Sequence, residues 1–294
     1  MQVNYSFVIL HYLNAEETKK CVDSLIRNIK CDSYQIIIVD NGSNNGTYEE
    51  LYSLYNERSN IILLKSNTNL GFACGNNIGF QYAKYKCKSK FIILINSDTI
   101  ITQENFCSVI SEKYIVNKFA LLGPDVLTSN LENHSNPMAL PLFDVKSVKN
   151  LVNNCKRKLV LCKLRIEPIY AIYKRLKNKV LKRKKMDFTK EWCNIKIHGC
   201  CLIFSEEYIL KFEGLYDKTF LYGEEEILCY LCEKNNLKIM YTPDLKIIHN
   251  ESASTKKQYK NLLSRHKFYY TNLFNSYQEL LKLVYEDEQV MKEH

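Results

Sequence analysis

Through the first hundred residues, short apolar runs alternate with longer amphipathic stretches. Residues 5–11, 35–39, 61–65 and 91–95 read as strands, each brief, rich in isoleucine or valine and bounded by polar positions. Between them, 15–28, with Cys21 and Leu25 on one face, 47–58 and the glycine-opened 71–85 read as helices. Strand and helix in alternation predict right-handed βαβ units, hence an α/β fold with a mostly parallel, Rossmann-like central sheet flanked by helices. After Asp98 the rhythm breaks. A helix over 104–116 and a strand near 120–123 precede a long basic stretch. A second apolar block, 197–204, then resumes the fold, followed by helices over 206–212 and 224–235 and short strands over 238–241 and 246–249. From residue 258 the chain is helical, aromatic and charged.

The run Phe91-Ile92-Ile93-Leu94-Ile95 ends abruptly in Asn96-Ser97-Asp98, so Asp98 lies where a doubly buried strand leaves the sheet. Open α/β sheets bind ligands at that edge. A carboxylate there suits Mg²⁺ or Mn²⁺ bridging to phosphate oxygens, since such ions take few protein ligands and complete their shell from the substrate. A purely local Asn-Ser-Asp turn explains the same three residues equally well.

With 294 residues, 46% of them hydrophobic, the chain can bury a full core. Its twelve cysteines are scattered through apolar segments without framework spacing and read as reduced thiols. No signal peptide opens the sequence, and no apolar run approaches the roughly 18–20 residues of a spanning helix, so a cytoplasmic protein is expected.

Charge changes the picture more than composition does. Residues 146–185 carry fifteen Lys or Arg against one acid, Glu167, a net of +14 in a chain whose total is +9. The rest of the chain is therefore at −5. Basic residues interleave there with Leu159, Val160, Leu161, Leu164, Ile166, Ile169 and Tyr170, as in an amphipathic helix lying on an anionic membrane surface. A solvated helix pair, an acceptor-binding surface and a nucleic-acid patch are the competing readings.

Four segments carry polar groups that can converge on one ligand: Asp40-Asn41-Gly42-Ser43, Asn69-Leu70-Gly71-Phe72, Asn96-Ser97-Asp98 and Gly223-Glu224-Glu225-Glu226. Three of them follow strands expected to be parallel neighbours, so their ends face one crevice. Gly71, Gly75 and Gly79 are spaced by four, which disfavours a dinucleotide fingerprint and favours close helix packing beside a nucleotide. Cys229-x-x-Cys232 with Cys193, Cys200 and Cys201 raises zinc, but 229 and 232 fall on one inward face of a predicted helix and read as core thiols. Arg265 and Lys267 are placed to reach either a diphosphate or a membrane.

Taken in order, Asp40-Asn-Gly-Ser, Asn69-Leu-Gly-Phe-Ala-Cys-Gly-Asn-Asn-Ile-Gly79, Asn96-Ser-Asp-Thr99, His198-Gly-Cys-Cys-Leu-Ile203, Gly214-Leu-Tyr-Asp217 with Phe220-Leu-Tyr-Gly-Glu-Glu-Glu226, and Ile248-His249 with Ser252-Ala-Ser-Thr255 resemble the motifs of family-2 glycosyltransferases. The pattern is most similar to the rhamnosyltransferase-like branch that builds bacterial surface polysaccharides. The resemblance implies the GT-A (nucleotide-diphospho-sugar transferase) fold and inverting transfer from a UDP- or dTDP-sugar to a saccharide or lipid-linked acceptor. It places the donor nucleotide against Asp40, Asn69, Gly71, Asn77, Asn96 and Ser97, and a divalent cation on Asp98 and His249. The family's catalytic Glu-Asp pair falls on Glu224 and Glu225, with Glu225 as base and Glu224 shaping the acceptor site. Glutamate for aspartate lengthens that arm, and three adjacent acids oppose one another's ionisation.

The resulting division is a transferase domain over 1–256, with a nucleotide-sugar half (1–123), a basic helical insert (140–190) and an acceptor and catalytic half (195–256), followed by a helical tail over 257–294. The enzyme is expected to sit peripherally on the inner face of the cell membrane through 146–185, without nucleic acid. A sugar nucleotidyltransferase is the nearest rival, although 10–17 shows no glycine-rich, lysine-bearing phosphate loop. A noncatalytic nucleic-acid-binding protein using the basic insert is the other.

Overall fold

The structure is a computed structural model that describes residues 3–165, 186–250 and 261–293. Its strands are β1 (Tyr5–His11), β2 (Tyr34–Asn41), β3 (Ile61–Ser66), β4 (Phe91–Asn96), β5 (Thr99–Ile101), β6 (Leu121–Thr128), β7 (Trp192–Cys193), β8 (Cys201–Phe204) and β9 (Ile239–His249). The helices are α1 (Ala15–Asn28), α2 (Thr47–Tyr55), α3 (Gly71–Tyr82), α4 (Phe106–Asn117), α5 (Val145–Lys163), α6 (Glu206–Ile209), α7 (Glu224–Lys234) and α8 (Leu262–Glu293), with a π turn at Ala83–Cys87 continuing α3. No described helix is long and apolar enough to cross a membrane.

One sheet runs in the order β3-β2-β1-β4-β8-β6-β9-β5, with β7 paired to β9. The first four strands are mutually parallel, as the βαβ rhythm predicts. The strand order reverses between β1 and β4, which opens a crevice at their carboxyl ends. Past β4 the sheet becomes mixed: β8 runs antiparallel to both β4 and β6, while β6 and β9 are parallel.

Side chains alternate across this sheet and feed two cores. Phe7, Ile9, Ile36, Ile38, Phe91 and Ile93 face α1 and α4, where Cys21, Leu25 and Phe106 meet them. Val8, Ile37, Val39, Ile92 and Leu94 face the other way, onto Phe80, Phe204 and Tyr208. A third core joins Val148 and Cys155 of α5, Ile227 and Tyr230 of α7, and Tyr277, Leu280 and Val284 of α8. The carboxyl-terminal helix is therefore packed along the first helix of the basic insert. Residues 166–185 of that insert and the Ser252–Thr255 motif lie outside the described residues.

The elements differ from the sequence pattern in several places, including an unexpected β7 and a β6 that runs on to Thr128. The one-turn helix α6 is shorter than the predicted 206–212, and the three-residue β5 gave no periodic signal. The two short strands expected around Pro243 are one strand, β9. Its ladder with β6 passes from Pro124↔Thr242 directly to Asp125↔Lys246, so residues 243–245 bulge out and Pro243 is never asked for a ladder hydrogen bond.

Glycine spacing in α3 has the expected packing consequence. A Cβ on Gly75 would lie 2.7 Å from Leu10 Cδ1, and one on Gly79 would lie 2.3 Å from Val8 Cγ1. The helix thus rides directly on β1 and β2. Gly79→Ala forces that contact apart and should destabilise the protein by about 1–3 kcal/mol, read as a lower urea midpoint at unchanged slope. An unchanged midpoint would show that the helix and sheet separate freely.

Candidate active site

At the carboxyl ends of β1 and β4 lies a cleft of about 490 Å³. Tyr12 and Asn41 follow or end β1 and β2, Asn69, Gly71 and Phe72 open α3, and Asn96, Ser97 and Asp98 follow β4. The opposite wall is made by His198, Gly199 and Cys200 before β8, by 220–225 at the start of α7, by His249 ending β9 and by Phe268 of α8.

On the wall formed by β2 and α3, Asn41 is the organiser. Its amide donates to Asn69 Oδ1 and to the Gly71 carbonyl, each at 3.0 Å, and its oxygen accepts the Leu70 N–H at 3.0 Å. Gly71 has φ of +83°, and a Cβ there would stand 2.2 Å from the Phe220 carbonyl, whose oxygen accepts the Phe72 N–H. Only glycine permits this approach of α3 to the 220 loop. Asp40 stands behind the lining, buried, accepting the Ser43 N–H at 3.2 Å and lying 3.8 Å from His11 Nε2. His11 is locked between Thr18 and Thr47, and burial lowers its pKa against the opposing pull of Asp40.

Asn77 does not reach the cleft. Its oxygen accepts the Leu215 N–H at 2.7 Å and its amide donates to the Leu215 carbonyl at 2.8 Å, so it spends its polar groups tying α3 to the 214–215 turn. This corrects its expected place against the nucleotide. The helix position that faces the cleft is occupied instead by Phe72.

Asp98 and His249 meet because β5 pairs antiparallel with β9, Thr99 opposite His249, and the Asn250 N–H donates to the Asp98 carbonyl at 2.9 Å. Asp98 Oδ1 lies 3.1 Å from His249 Nε2. His249 Nδ1 is buried with no hydrogen-bond partner among the described residues. Beside it, His198 stands edge-on to His249 at 5.4 Å between ring centroids. The His198 N–H donates to Asn136 Oδ1 at 2.7 Å, and its Nδ1 accepts the Cys200 N–H at 3.2 Å. Ligand atoms of His198, Cys200 and His249 all lie within 4.8 Å of one another. A carboxylate and two imidazoles on one wall, with a cysteine thiol beside them, fit a divalent cation.

The three acids of α7 have three different surroundings. Tyr222 and Gly223 both take left-handed backbone conformations, φ +69° and +86°, and this tight turn swings the helix start into the cleft. Glu225 lines the cleft and accepts the Gly199 N–H through Oε1 at 3.2 Å. Glu226 points into the third core, bound to Lys196 and to the Tyr277 hydroxyl at 3.3 Å. Glu224 is buried; burial first, and then the neighbouring Glu225 carboxylate, push its carboxyl up to about 8. The acid held neutral near physiological pH is thus Glu224.

Arg265 and Lys267 are absent from the cleft lining, whereas their neighbour Phe268 is on it, with Tyr269 edge-to-face on Tyr222 at 4.6 Å. Cys229 and Cys232 are buried in the core facing α3. Tyr12, Asn41, Tyr222 and Phe268 were not marked as site residues by the sequence. Asn41 and Tyr222 do stand inside recognisable motifs, while Phe268 carries no local signal at all.

Residues 6–207 match the sequence profile of glycosyl transferase family 2. The chain is similar to the low-salt glycan biosynthesis hexosyltransferase Agl10 of Haloferax volcanii, 21% identical over 249 residues, which cover 84% of this chain and 67% of that protein. Among solved structures, GalNAc-T7 in complex with UDP, GalNAc and Mn²⁺ superposes with a TM-score of 0.58 at 14% identity, covering 86% of this chain. This chain spans 45% of that one. Residues 1–349 of S. aureus TarS superpose at 0.54 with 10% identity, covering 95% of this chain and 71% of theirs. The fold is therefore the GT-A fold, with the mixed sheet described above.

The neutral Glu224 has a signature in stability. Between about pH 4.5 and pH 8 the folded protein holds a proton that the unfolded chain has released, so stability falls as pH rises, by up to about 1.4 kcal/mol per pH unit. Glu224→Gln has no such proton to lose. Its melting-temperature advantage over the wild type should widen from about pH 5 to pH 8 and level off above. A gap that stays constant across that window would mean Glu224 is ionised throughout.

Proposed function

The chain belongs to glycosyl transferase family 2, and on that footing we propose that it transfers a sugar, with inversion, from a UDP- or dTDP-sugar to a saccharide or lipid-linked acceptor of a surface polysaccharide. One observation carries the reading: Glu225 and the Asp98–His249 pair stand on one cleft at the sheet's topological switch point. The UDP and Mn²⁺ bound to GalNAc-T7 and the hexosyltransferase activity named for Agl10 lend support.

In this reading Asn69, Gly71, Asn96 and Ser97 receive the donor nucleotide, while Asp40 and Asn41 shape its pocket from behind. Asp98 and His249 would hold a divalent cation such as Mg²⁺ or Mn²⁺, which would supply positive charge to offset that of the departing diphosphate. Glu225 takes the proton of the acceptor hydroxyl as that oxygen attacks the anomeric carbon, on the face opposite the diphosphate. The Gly199 N–H fixes one oxygen of Glu225 and so orients the other. Glu224, protonated, lets Glu225 be the one negative charge at the start of α7 that faces the acceptor. Residues 1–123 serve the donor and 195–256 the acceptor, with α8 of the 257–294 segment closing the acceptor side through Phe268.

Purified protein incubated with Mn²⁺ or Mg²⁺ and a panel of nucleotide sugars should release nucleoside diphosphate from one of them; a flat panel in the presence of crude saccharide and lipid acceptors removes the transferase reading. Asp98→Asn should abolish release while leaving the far-ultraviolet circular dichroism unchanged. Glu225→Gln should lower kcat by about 10²–10⁴-fold with donor Kd preserved, the range a positioned general base contributes. Near-normal turnover in that variant would move the base to another residue.

Lys146, Lys149, Lys156, Arg157, Lys163 and Arg165 are exposed along and just beyond α5, together with Val160 and Leu164. That surface fits peripheral binding to an anionic membrane on the cytoplasmic side. Sedimentation with phosphatidylserine vesicles should fall steeply between about 0.05 and 0.5 M salt and be absent with neutral vesicles. Equal binding to neutral vesicles would rule out the electrostatic mechanism.

A further inference from the structure

The Asp98–His249 wall carries two donors beyond those the transfer reaction asks for. His198 and Cys200 place a second imidazole and a thiol within 4.8 Å of the His249 ligand atom, and of each other. Cys200 is fully buried. Its position is set by the sheet: the Asn96 N–H donates to the Cys200 carbonyl at 2.9 Å, and Ile95 is paired with Cys201, so the residue stands beside the end of β4 where Asp98 emerges. His198 is held from both sides, by Asn136 and by the Cys200 N–H. His249 faces Asp98 through Nε2, while its Nδ1, on the other edge of the ring, is buried with no hydrogen-bond partner among the described residues.

We propose that Asp98, His249, His198 and Cys200 form one mixed oxygen, nitrogen and sulfur site that selects a borderline transition ion of the zinc or cobalt class over Mg²⁺. This rests on the placing of a cation at Asp98 and His249 and names which cation that wall accepts. Magnesium demands near-octahedral oxygen donors and dehydrates reluctantly, whereas imidazole and thiolate favour zinc and its neighbours. For the Asp98–His249 pair the spacing fits as well; Asp98 is not one of the three residues whose donor atoms lie within 4.8 Å of one another. Two donors on an ion with bonds of about 2.0–2.2 Å stand about 2.9–3.5 Å apart, and Asp98 Oδ1 and His249 Nε2 are at 3.1 Å. Donors of a tetrahedral sulfur-containing site stand about 3.3–3.8 Å apart, so closing the His198–Cys200–His249 group from 4.8 Å asks for side-chain movements of about an ångström. As the sulfur–metal bond forms, the thiol proton leaves to solvent. Four protein donors would fill a tetrahedral shell, so a diphosphate oxygen would join such an ion only as a fifth donor.

The test is made on the wild-type full chain, stripped with chelator and loaded with Zn²⁺ or Co²⁺ alone. X-ray absorption of the zinc form should show one sulfur at about 2.3 Å beside nitrogen and oxygen at about 2.0–2.2 Å. The cobalt form should show a sulfur-to-cobalt charge-transfer band in the near ultraviolet. Cys200→Ser should lose both and bind Zn²⁺ at least about tenfold more weakly, since even outer-shell losses cost that much. Cys193→Ser, altering an exposed cysteine on β7, should keep both. A zinc shell of nitrogen and oxygen only in the wild type, or a sulfur shell that survives Cys200→Ser, overturns the proposal. Diphosphate release with Mg²⁺ or Mn²⁺ and no sulfur shell overturns it while leaving the transferase standing. A Cys200-dependent sulfur shell without release from any nucleotide sugar sustains the cation site and removes the transferase.

Discussion

The pairing of β5 with β9 is the constraint on which the candidate site depends. Three residues after a buried parallel strand ends, the chain turns and runs antiparallel to a strand that arrives from more than a hundred residues away. Register then leaves no freedom: Thr99 faces His249, and the carboxylate one residue before Thr99 comes within 3.1 Å of that imidazole. The arrangement survives Pro243 in mid-strand because residues 243–245 bulge from the ladder and the strand re-engages at Lys246. A single-residue slip would turn His249 to the opposite face of the sheet.

A second consequence follows from where β8 lies. Inserted antiparallel between β4 and β6, it brings the 198–200 loop to the same edge as Asp98 and gives Glu225 the Gly199 N–H as a fixed partner. A Cβ on Gly199 would stand 2.7 Å from Glu225 Oε1, so the small residue is what lets the loop and the acidic helix meet. The adjacent acids of α7 are then sorted by geometry. Glu226 turns into the core joined by α5, α7 and α8 and finds Lys196 there, while Glu225 and Glu224 both line the cleft, Glu224 buried and holding its proton.

Much of this was legible beforehand, for a physical reason. Strands buried on both faces, such as β1, β2 and β4, carry continuous apolar runs, and the helices between them carry one apolar stripe, so the βαβ half could be read within a residue or two at most ends. The polar residues that end those strands or open the helix after β3 share an edge by topology alone, so Asn69, Gly71, Asn96, Ser97 and Asp98 fall on one cleft. Asn77 sits in the same glycine-rich helix yet points at Leu215, because the rotation of a residue about the helix axis decides its partner and a motif does not state it.

Local periodicity and the handedness of βαβ connections are enough to assign the kind of element each segment forms and the edge at which the chemistry gathers. Which side chains meet is settled by the packed fold: β5 against β9, Phe268 against the cleft, Cys200 beside His249, and a proton on Glu224 but a cation against Glu226. Those outcomes depend on burial and on distances between segments far apart in the chain. No pattern within one segment encodes the dielectric or the neighbours that another segment will supply.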